Sequence, residues 1–327
     1  MRRVRMPLIL VDSPEILVYH HHTMTDTKAW AGSFHGIIPP LVTPFGDDGD
    51  VDATALRAVV RHVLAGGVHG VFVAGSTGEA YAMSDEQRIV ALEVVIDEVG
   101  GRVPVFAGTS RITTAGTVNL TRAAESAGAD AASIVTPYFI NPSQDELFEH
   151  FKTVAASTSL PVLLYNNPAR TGVVLQPHTV WRLAQIENIV GIKDSSGDMG
   201  AVVDMIRLCN DKFGVFCGFD QIMYSVLAAG GAGAVPASSN VLPRLIVDLY
   251  ESFRAGRLAE ARTLQDRLVP FRKAFSLGTF PAVLKEGLNL LGVQVGQPLP
   301  PVSRLTTDAR NELKRVLQDL GLTVVDA

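Results

Sequence analysis

A lysine follows an apolar segment near the middle of the chain. Residues 189–192 read IVGI, and Lys193 comes directly after them, followed by the polar stretch DSSG. Removing an ammonium group from water is costly, so a lysine at the end of a buried strand is either exposed at the strand end or a reactive amine. A partly desolvated lysine gives up its proton more readily, and the free amine can attack a ketone. The neighbouring elements must decide between these two interpretations.

Other groups capable of chemistry also follow short apolar segments. Residues 75–79 read GSTGE, in which glycines flank Ser76 and Thr77 and backbone N–H groups could bind an anion. Tyr165 ends the apolar run PVLLY, and Arg170 follows in the loop NNPARTG. Taken one at a time, GSTGE would be a plain strand-to-helix turn, Tyr165 a core aromatic residue and Arg170 a surface charge. Together at one rim, they would indicate an active site.

A repeated alternation of strands and helices would bring these groups to one rim. The predicted strands are 36–42, 70–75, 103–108, 131–136, 160–166, 189–193, 214–218 and 231–238, with amphipathic helical stretches between them. Strands that alternate with helices pair in parallel, and eight of them close a (β/α)8 TIM barrel of α/β class, whose active site forms at the carboxyl ends of the strands. An open doubly wound sheet is the alternative. A dinucleotide site in such a sheet would require GxGxxG after the first strand, where this chain has TPFGDDG.

Three regions are expected along the chain. Residues 1–32 are predicted to be a flexible N-terminal extension, 33–239 the barrel, and 240–327 a C-terminal helical extension packed on the barrel. The first residues are basic and precede the apolar stretch MPLILV, but no small-residue cleavage site follows, so a signal peptide is not expected.

Composition excludes several classes of protein. The chain has 327 residues and a net charge of −5 without a basic stripe, which disfavours nucleic-acid binding. No apolar run approaches the roughly 20 residues of a membrane helix, so no membrane partner is expected. Two cysteines cannot form a disulfide framework or a zinc ribbon, and they fit a reducing cytoplasm. Three adjacent histidines at 20–22 cannot all face one ion, so neither a metal nor a cofactor is predicted.

Two long stretches resemble a known family. GVFVAGSTGEAYAMSDEQ, and YNNPARTGVVL together with GIKDSSG, are similar to the signature stretches of the dihydrodipicolinate synthase / N-acetylneuraminate lyase family. The resemblance extends from about Phe34 to Gly321. It implies a class I lyase in which Lys193 forms a Schiff base with pyruvate or another 2-oxo acid, which then reacts with a small aldehyde. The Ser76–Thr77 turn would bind the substrate carboxylate.

The resemblance also implies roles for further residues. Tyr165 would transfer protons in a relay with Thr77 and with a second tyrosine from a neighbouring subunit, so a homodimer or homotetramer is expected. Arg170 would hold the carboxylate of aspartate semialdehyde. Gly218 and Val235, at the ends of the last two predicted strands, are expected to contact substrate.

The chain departs from the family pattern at two positions. Phe139 stands where the relay tyrosine is expected and has no hydroxyl, and Asn167 stands where the motif usually has an apolar residue. Three functions therefore remain open. The nominal one is 4-hydroxy-tetrahydrodipicolinate synthase, which condenses pyruvate with aspartate semialdehyde. The others are an aldolase or dehydratase acting on a 2-keto-3-deoxy sugar acid or related 2-oxo acid, and a non-catalytic 2-oxo acid sensor.

Overall fold

Short parallel strands form the centre of the computed structural model, which describes residues 34–209 and 212–325. Within those ranges the strands are β1 Gly36–Ile37, β2 Val71–Val73, β3 Val105–Gly108, β4 Ala131–Val135, β5 Val162–Asn166, β6 Ile189–Asp194, β7 Gly214–Cys217 and β8 Gly233–Ala234. They pair in the order β1-β8-β7-β6-β5-β4-β3-β2, all in parallel. The predicted extension 1–32 lies outside the described residues.

The two edges of this sheet meet through the segment that follows β1. Pro40 and Phe72 form a parallel bridge, the Leu41 N–H donates to Phe72 O at 2.8 Å, and the Phe72 N–H donates to Pro39 O at 2.8 Å. Pro39 and Pro40 have no N–H to donate, which explains why regular pairing in β1 stops earlier than the predicted strand. The predicted TIM barrel is confirmed, and each predicted strand is present, most of them shorter than predicted.

Helices follow the strands and then continue beyond β8. Among the described residues they are α1 Ala53–Ala65, α2 Asp85–Val99, α3 Thr114–Ser126, α4 Gln144–Ala155, α5 Pro168–Thr171, α6 Pro177–Leu183, α7 Met199–Leu208, α8 Met223–Ala228, α9 Pro243–Arg254, α10 Leu258–Ala274, α11 Ala282–Leu290 and α12 Thr307–Asp319. In these same parts of the chain, none of the helices combines the length and the apolar character needed to cross a membrane.

Apolar side chains fill two separate regions of the barrel. A small cluster occupies the interior and contains Phe34, Ile38, Phe72, Phe106, Ala131, Leu163, Phe216 and Val235. The larger cluster lies between the strands and the surrounding helices. Because the interior is packed rather than open, polar chemistry is restricted to the rim where the strands end.

Helices after β8 are attached to this rim. In α10, Gln265 donates to Asp220 O at 3.0 Å and accepts from the Tyr224 N–H at 2.9 Å, so it contacts the segment that follows β7. In α11, Lys285 reaches Glu79, which follows β2. The C-terminal helices therefore contribute to the geometry of the strand ends.

Candidate active site

Lys193 and Tyr165 are direct neighbours on β6 and β5. They are register partners, and Lys193 Nζ lies 4.1 Å from the centroid of the Tyr165 ring and 5.3 Å from that of Phe72. Only 4% of the Lys193 surface is exposed. An ammonium group over aromatic faces is attracted to them, and this attraction offsets part of the free-energy cost of removing the group from water. The interpretation of Lys193 as an exposed strand-end residue is therefore excluded.

A cavity of about 410 Å³ opens beside this lysine. The residues predicted from sequence all line it: Ser76, Thr77, Tyr165, Arg170, Lys193, Gly218 and Val235. A second cavity, of about 230 Å³, lies next to Ser76 and Tyr165 and extends toward Arg88 and Tyr138. The structure thus brings the predicted residues together at one site, and their individual roles stay predictions.

The turn after β2 leaves two N–H groups for an anion. The Gly78 and Ala80 N–H groups donate to Gly75 O at 3.1 and 3.3 Å. Within the described part of the chain, the N–H groups of Ser76 and Thr77 have no hydrogen-bond partner. Ser76 and Thr77 line the cavity, and two successive unpaired N–H groups of this kind form a nest that suits a carboxylate.

Two buried features hold this turn in place. A Cβ at Gly78 would lie 2.9 Å from Leu41 O, so the turn can approach the β1 segment this closely only with glycine. Glu79 adopts a left-handed conformation with φ 57° and pairs with Lys285 at 2.6 Å. Glu79 also accepts from the Leu299 N–H at 2.8 Å.

The Tyr165 hydroxyl is surrounded by groups that favour its ionised form. Asn167 Nδ2 donates to it at 2.7 Å. Burial acts to raise the pKa of Tyr165, but the charge of Lys193 and hydrogen bonds with the side chains of Asn167, Ser195 and Ser76 together outweigh it, and the pKa lies below its ordinary value. Tyr165 is therefore placed to take a proton as well as to donate one.

Ser76 and Thr77, in the turn after β2, both line the cavity with Tyr165. Ser76 is among the side chains that lower the pKa of Tyr165, whereas Thr77, the predicted relay partner, is not. Thr77 is buried and lines the same cavity. The relay role expected for Thr77 therefore stays a prediction.

Two arginines lie on the outer side of the cavity. Arg170, exposed in α5, stacks 5.0 Å from the ring centroid of Phe280. Arg272, from α10, lies 4.4 Å from the ring centroid of Phe275 and lines the cavity with Arg170. Arg272 was not predicted as a site residue, because it comes from the C-terminal helices, where no strand end indicates which residues reach the site.

Gly218 allows β7 to pass close to Lys193. A Cβ at this position would lie 2.0 Å from Ser195 Oγ and 3.1 Å from Lys193 Cε. Val235 is 1% exposed and belongs to the interior cluster, so it closes the floor of the cavity. Ser195 was also missed, although it directly follows the end of β6, the same strand end that indicated Lys193.

The loop after β4 carries two exposed apolar side chains. Phe139 is 93% exposed with φ 73°, and Ile140 beside it is 48% exposed. A large apolar side chain held outward in a left-handed conformation is unusual for a solvent-facing loop. Phe139 thus offers an apolar contact and no hydroxyl.

Comparisons with known proteins agree with this geometry. A sequence model described as the dihydrodipicolinate synthetase family matches residues 33–320. A 4-hydroxy-tetrahydrodipicolinate synthase of Syntrophus aciditrophicus is 40% identical over 289 residues, which cover 88% of this chain and 99% of that protein. The crystal structure of dihydrodipicolinate synthase from Aquifex aeolicus is similar with a TM-score of 0.87 at 32% identity, covering 90% of this chain and 100% of the other.

A further solved structure adds a ligand. A prophage protein of E. coli K12, belonging to the dihydrodipicolinic acid synthase family and solved in complex with pyruvate, has a TM-score of 0.86 at 37% identity, covering 88% of this chain and 99% of the other. The similarities extend over the barrel and the C-terminal helices together. They confirm the resemblance carried by the two signature stretches and the prediction of an enzyme of the lysine Schiff-base lyase class. The chain belongs to the dihydrodipicolinate synthetase family.

Proposed function

We propose that this protein is a 4-hydroxy-tetrahydrodipicolinate synthase, which condenses pyruvate with aspartate semialdehyde through an imine on Lys193. The observation that carries the proposal is the buried Lys193 amine, 4.1 Å from the Tyr165 ring, in a cavity that also presents the Ser76–Thr77 turn. The E. coli relative solved with pyruvate and the synthase from Syntrophus aciditrophicus support these two substrates.

The first half of the reaction forms the imine. The Lys193 nitrogen adds to the ketone carbon of pyruvate, one proton passes from that nitrogen to the ketone oxygen and a second comes from an acid, and the oxygen leaves as water to give the protonated imine. The pyruvate carboxylate binds the N–H groups of Ser76 and Thr77, which fixes the ketone beside the amine. Tyr165 supplies and removes the protons that these steps require.

The second half makes the carbon–carbon bond. Loss of a proton from the methyl carbon of the imine gives an enamine, whose carbon attacks the aldehyde carbon while the aldehyde oxygen gains a proton. The amino group of the aldehyde then attacks the imine carbon, and Lys193 leaves as the free amine. Arg170 presents a planar fork for the second carboxylate, and Arg272 adds a second positive charge to the same cavity.

A second candidate function is cleavage or dehydration of a 2-keto-3-deoxy sugar acid. Phe139 favours it, because a relay that uses a tyrosine at this position loses its hydroxyl. Arg170 and Arg272 suit the carboxylate of either class of substrate.

Two assays on one preparation separate these functions. One supplies pyruvate and aspartate semialdehyde and couples the product to the downstream reductase. The other supplies 2-keto-3-deoxygluconate and follows pyruvate release with lactate dehydrogenase. Condensation that exceeds cleavage supports the synthase, and rapid cleavage with negligible condensation contradicts it while leaving the Schiff-base class intact. Lys193→Ala is the control and should abolish both activities.

A homodimer or homotetramer is proposed as the working form. The exposed apolar residues Phe139 and Ile140 support it, because a subunit contact would remove them from water. Light scattering at assay concentration should give a multiple of the single-chain mass, and the mass of one chain would contradict this. A cytoplasmic location is proposed on the two cysteines, Cys209 and Cys217, which are both free.

A further inference from the structure

We propose that Asn167 is a positioning residue that holds the Tyr165 hydroxyl as a hydrogen-bond acceptor, so that Tyr165 acts as the base toward the imine without a tyrosine from a second subunit. This rests on the proposed imine chemistry at Lys193. It concerns the position at which the chain departs from the apolar residue of the family motif.

The contact is short, buried and held by a fixed backbone. Asn167 is 8% exposed, and its Nδ2 lies 2.7 Å from the Tyr165 oxygen. Its own carbonyl accepts from the N–H groups of Arg170 and Thr171, both at 3.0 Å, and from Thr171 Oγ1 at 3.1 Å. These bonds fix the Asn167 backbone at the start of α5, from which its side chain reaches the tyrosine.

The direction of this hydrogen bond follows from the chemistry of an amide. An NH2 group can only donate, so the Tyr165 oxygen must accept. A donor to a tyrosine oxygen is shorter and stronger when the oxygen is ionised, and it therefore favours phenolate over phenol. An apolar residue at position 167 would fill the space and provide no such bond.

Three other groups around Tyr165 act in the same direction as Asn167. Lys193 on β6 supplies the positive charge that faces the ring, and the side chains of Ser76 and Ser195 also act to lower the pKa of Tyr165. The remaining charged side chains of the two adjoining cavities are Arg88, Arg170, Asp220 and Arg272. The pKa of Tyr165 accordingly lies below its ordinary value.

This arrangement defines one proton transfer. The phenolate takes a proton from the methyl carbon of the iminium, the C–H electron pair becomes the carbon–carbon double bond, and the C=N electrons move to the nitrogen. The products are the neutral enamine and neutral tyrosine, and the proton then exchanges with solvent. Phe139 has no hydroxyl to take part in this step, whereas Asn167, Ser76 and Ser195 all belong to the same chain as Tyr165.

Exchange of the pyruvate methyl hydrogens in deuterated water tests the step without any aldehyde. NMR follows the exchange rate against pH for the full-length protein, for Asn167→Val and for Asn167→Asp. The valine removes the donor, so the rise of the rate should move to higher pH by roughly one unit. The aspartate should move it further, because a carboxylate accepts from the phenol and repels the phenolate. Asn119→Val, the same change at an exposed position on α3, should leave the profile unchanged.

A second readout is independent of the substrate. The absorbance of ionised tyrosine, taken as the difference from Tyr165→Phe, reports the titration of Tyr165 itself and should move to higher pH in Asn167→Val. If both midpoints stay where they are in the unaltered protein, or if only thermal stability and the rate at every pH fall, the residue is merely structural and the proposal is overturned. If the unaltered protein forms no imine with pyruvate but the tyrosine titration moves as expected, the proposed function fails and the role of Asn167 in ionising Tyr165 stands.

Discussion

Replacing Lys285 by methionine should destabilise both the barrel and the substrate-binding turn. Lys285 is 0% and Glu79 is 0% exposed, and their charged atoms lie 2.6 Å apart. Lys285 also donates to Gln297 O at 2.9 Å. Burial lowers the pKa of Lys285, and this outweighs the opposing attraction of Glu79, which indicates how costly the isolated charges would be. Methionine would leave the Glu79 carboxylate buried without its cation.

The expected loss of unfolding free energy is about 3–5 kcal/mol, the cost of breaking one side of a buried ion pair. For a chain of this size, with an unfolding entropy of about 2.1 cal/mol/K per residue, the melting temperature should fall by roughly 4–8 °C. Because Glu79 belongs to the turn that carries Ser76 and Thr77, the KM for pyruvate should rise as well. Thermal and urea unfolding measure the first effect, and steady-state kinetics measure the second.

Two further variants separate charge from packing. In Glu79→Gln/Lys285→Met both charges are gone and the amide oxygen can still accept from the Leu299 N–H, so most of the stability should return. Arg244→Met removes an exposed pair of similar length, 2.7 Å to Asp248, and should cost less than about 1 kcal/mol. A single variant at Lys285 that is no less stable than Arg244→Met, or a double variant as unstable as the single one, would refute the reasoning.

Three other positions carry predictions of their own. Gly218→Ala should lower the rate of imine formation at least tenfold, since its Cβ would lie 2.0 Å from Ser195 Oγ and 3.1 Å from Lys193 Cε; rapid trapping of pyruvate at the normal rate would contradict this. Phe139→Tyr should raise condensation with aspartate semialdehyde by about 10²-fold or more if the missing hydroxyl limits the relay, and an unchanged rate would show that it does not. Burial lowers the pKa of His150 from 6.5 to about 4. The unfolded chain therefore takes up this proton first, so the contribution of His150 to the free energy of unfolding is complete above pH 6.5. It falls by roughly 3 kcal/mol as the pH decreases to about 4. Urea titrations of His150→Leu should show this loss largely removed.

The sequence was sufficient for the barrel and for the reacting pair. Alternating apolar runs and amphipathic helices determine parallel pairing, and consecutive strands in such a barrel are neighbours, so Tyr165 and Lys193 had to meet once each was placed at a strand end. The GSTGE turn was recognisable because glycines and hydroxyls after a strand are typical of anion nests.

The sequence did not predict the contacts between distant segments, nor the directions in which individual side chains point. Arg272 reaches the cavity from α10, and Lys285 reaches Glu79 from α11, through the packing of helices that have no strand register to place them. The choice between Ser76 and Thr77 as the neighbour of Tyr165 depends on the backbone path within one turn, which spacing alone does not determine. Asn167 was visible as an unusual residue, but its hydrogen bond to Tyr165 needed coordinates.

Reductive trapping of the imine tests the central claim most directly. The full-length protein is incubated with pyruvate, reduced with borohydride, digested, and analysed by mass spectrometry, with Lys193→Ala as the control. The structure predicts a pyruvate-derived mass on the peptide that contains Lys193, and none in the control. An unmodified Lys193, or the same mass on another lysine such as Lys285, would contradict the assignment of Lys193 as the Schiff-base residue.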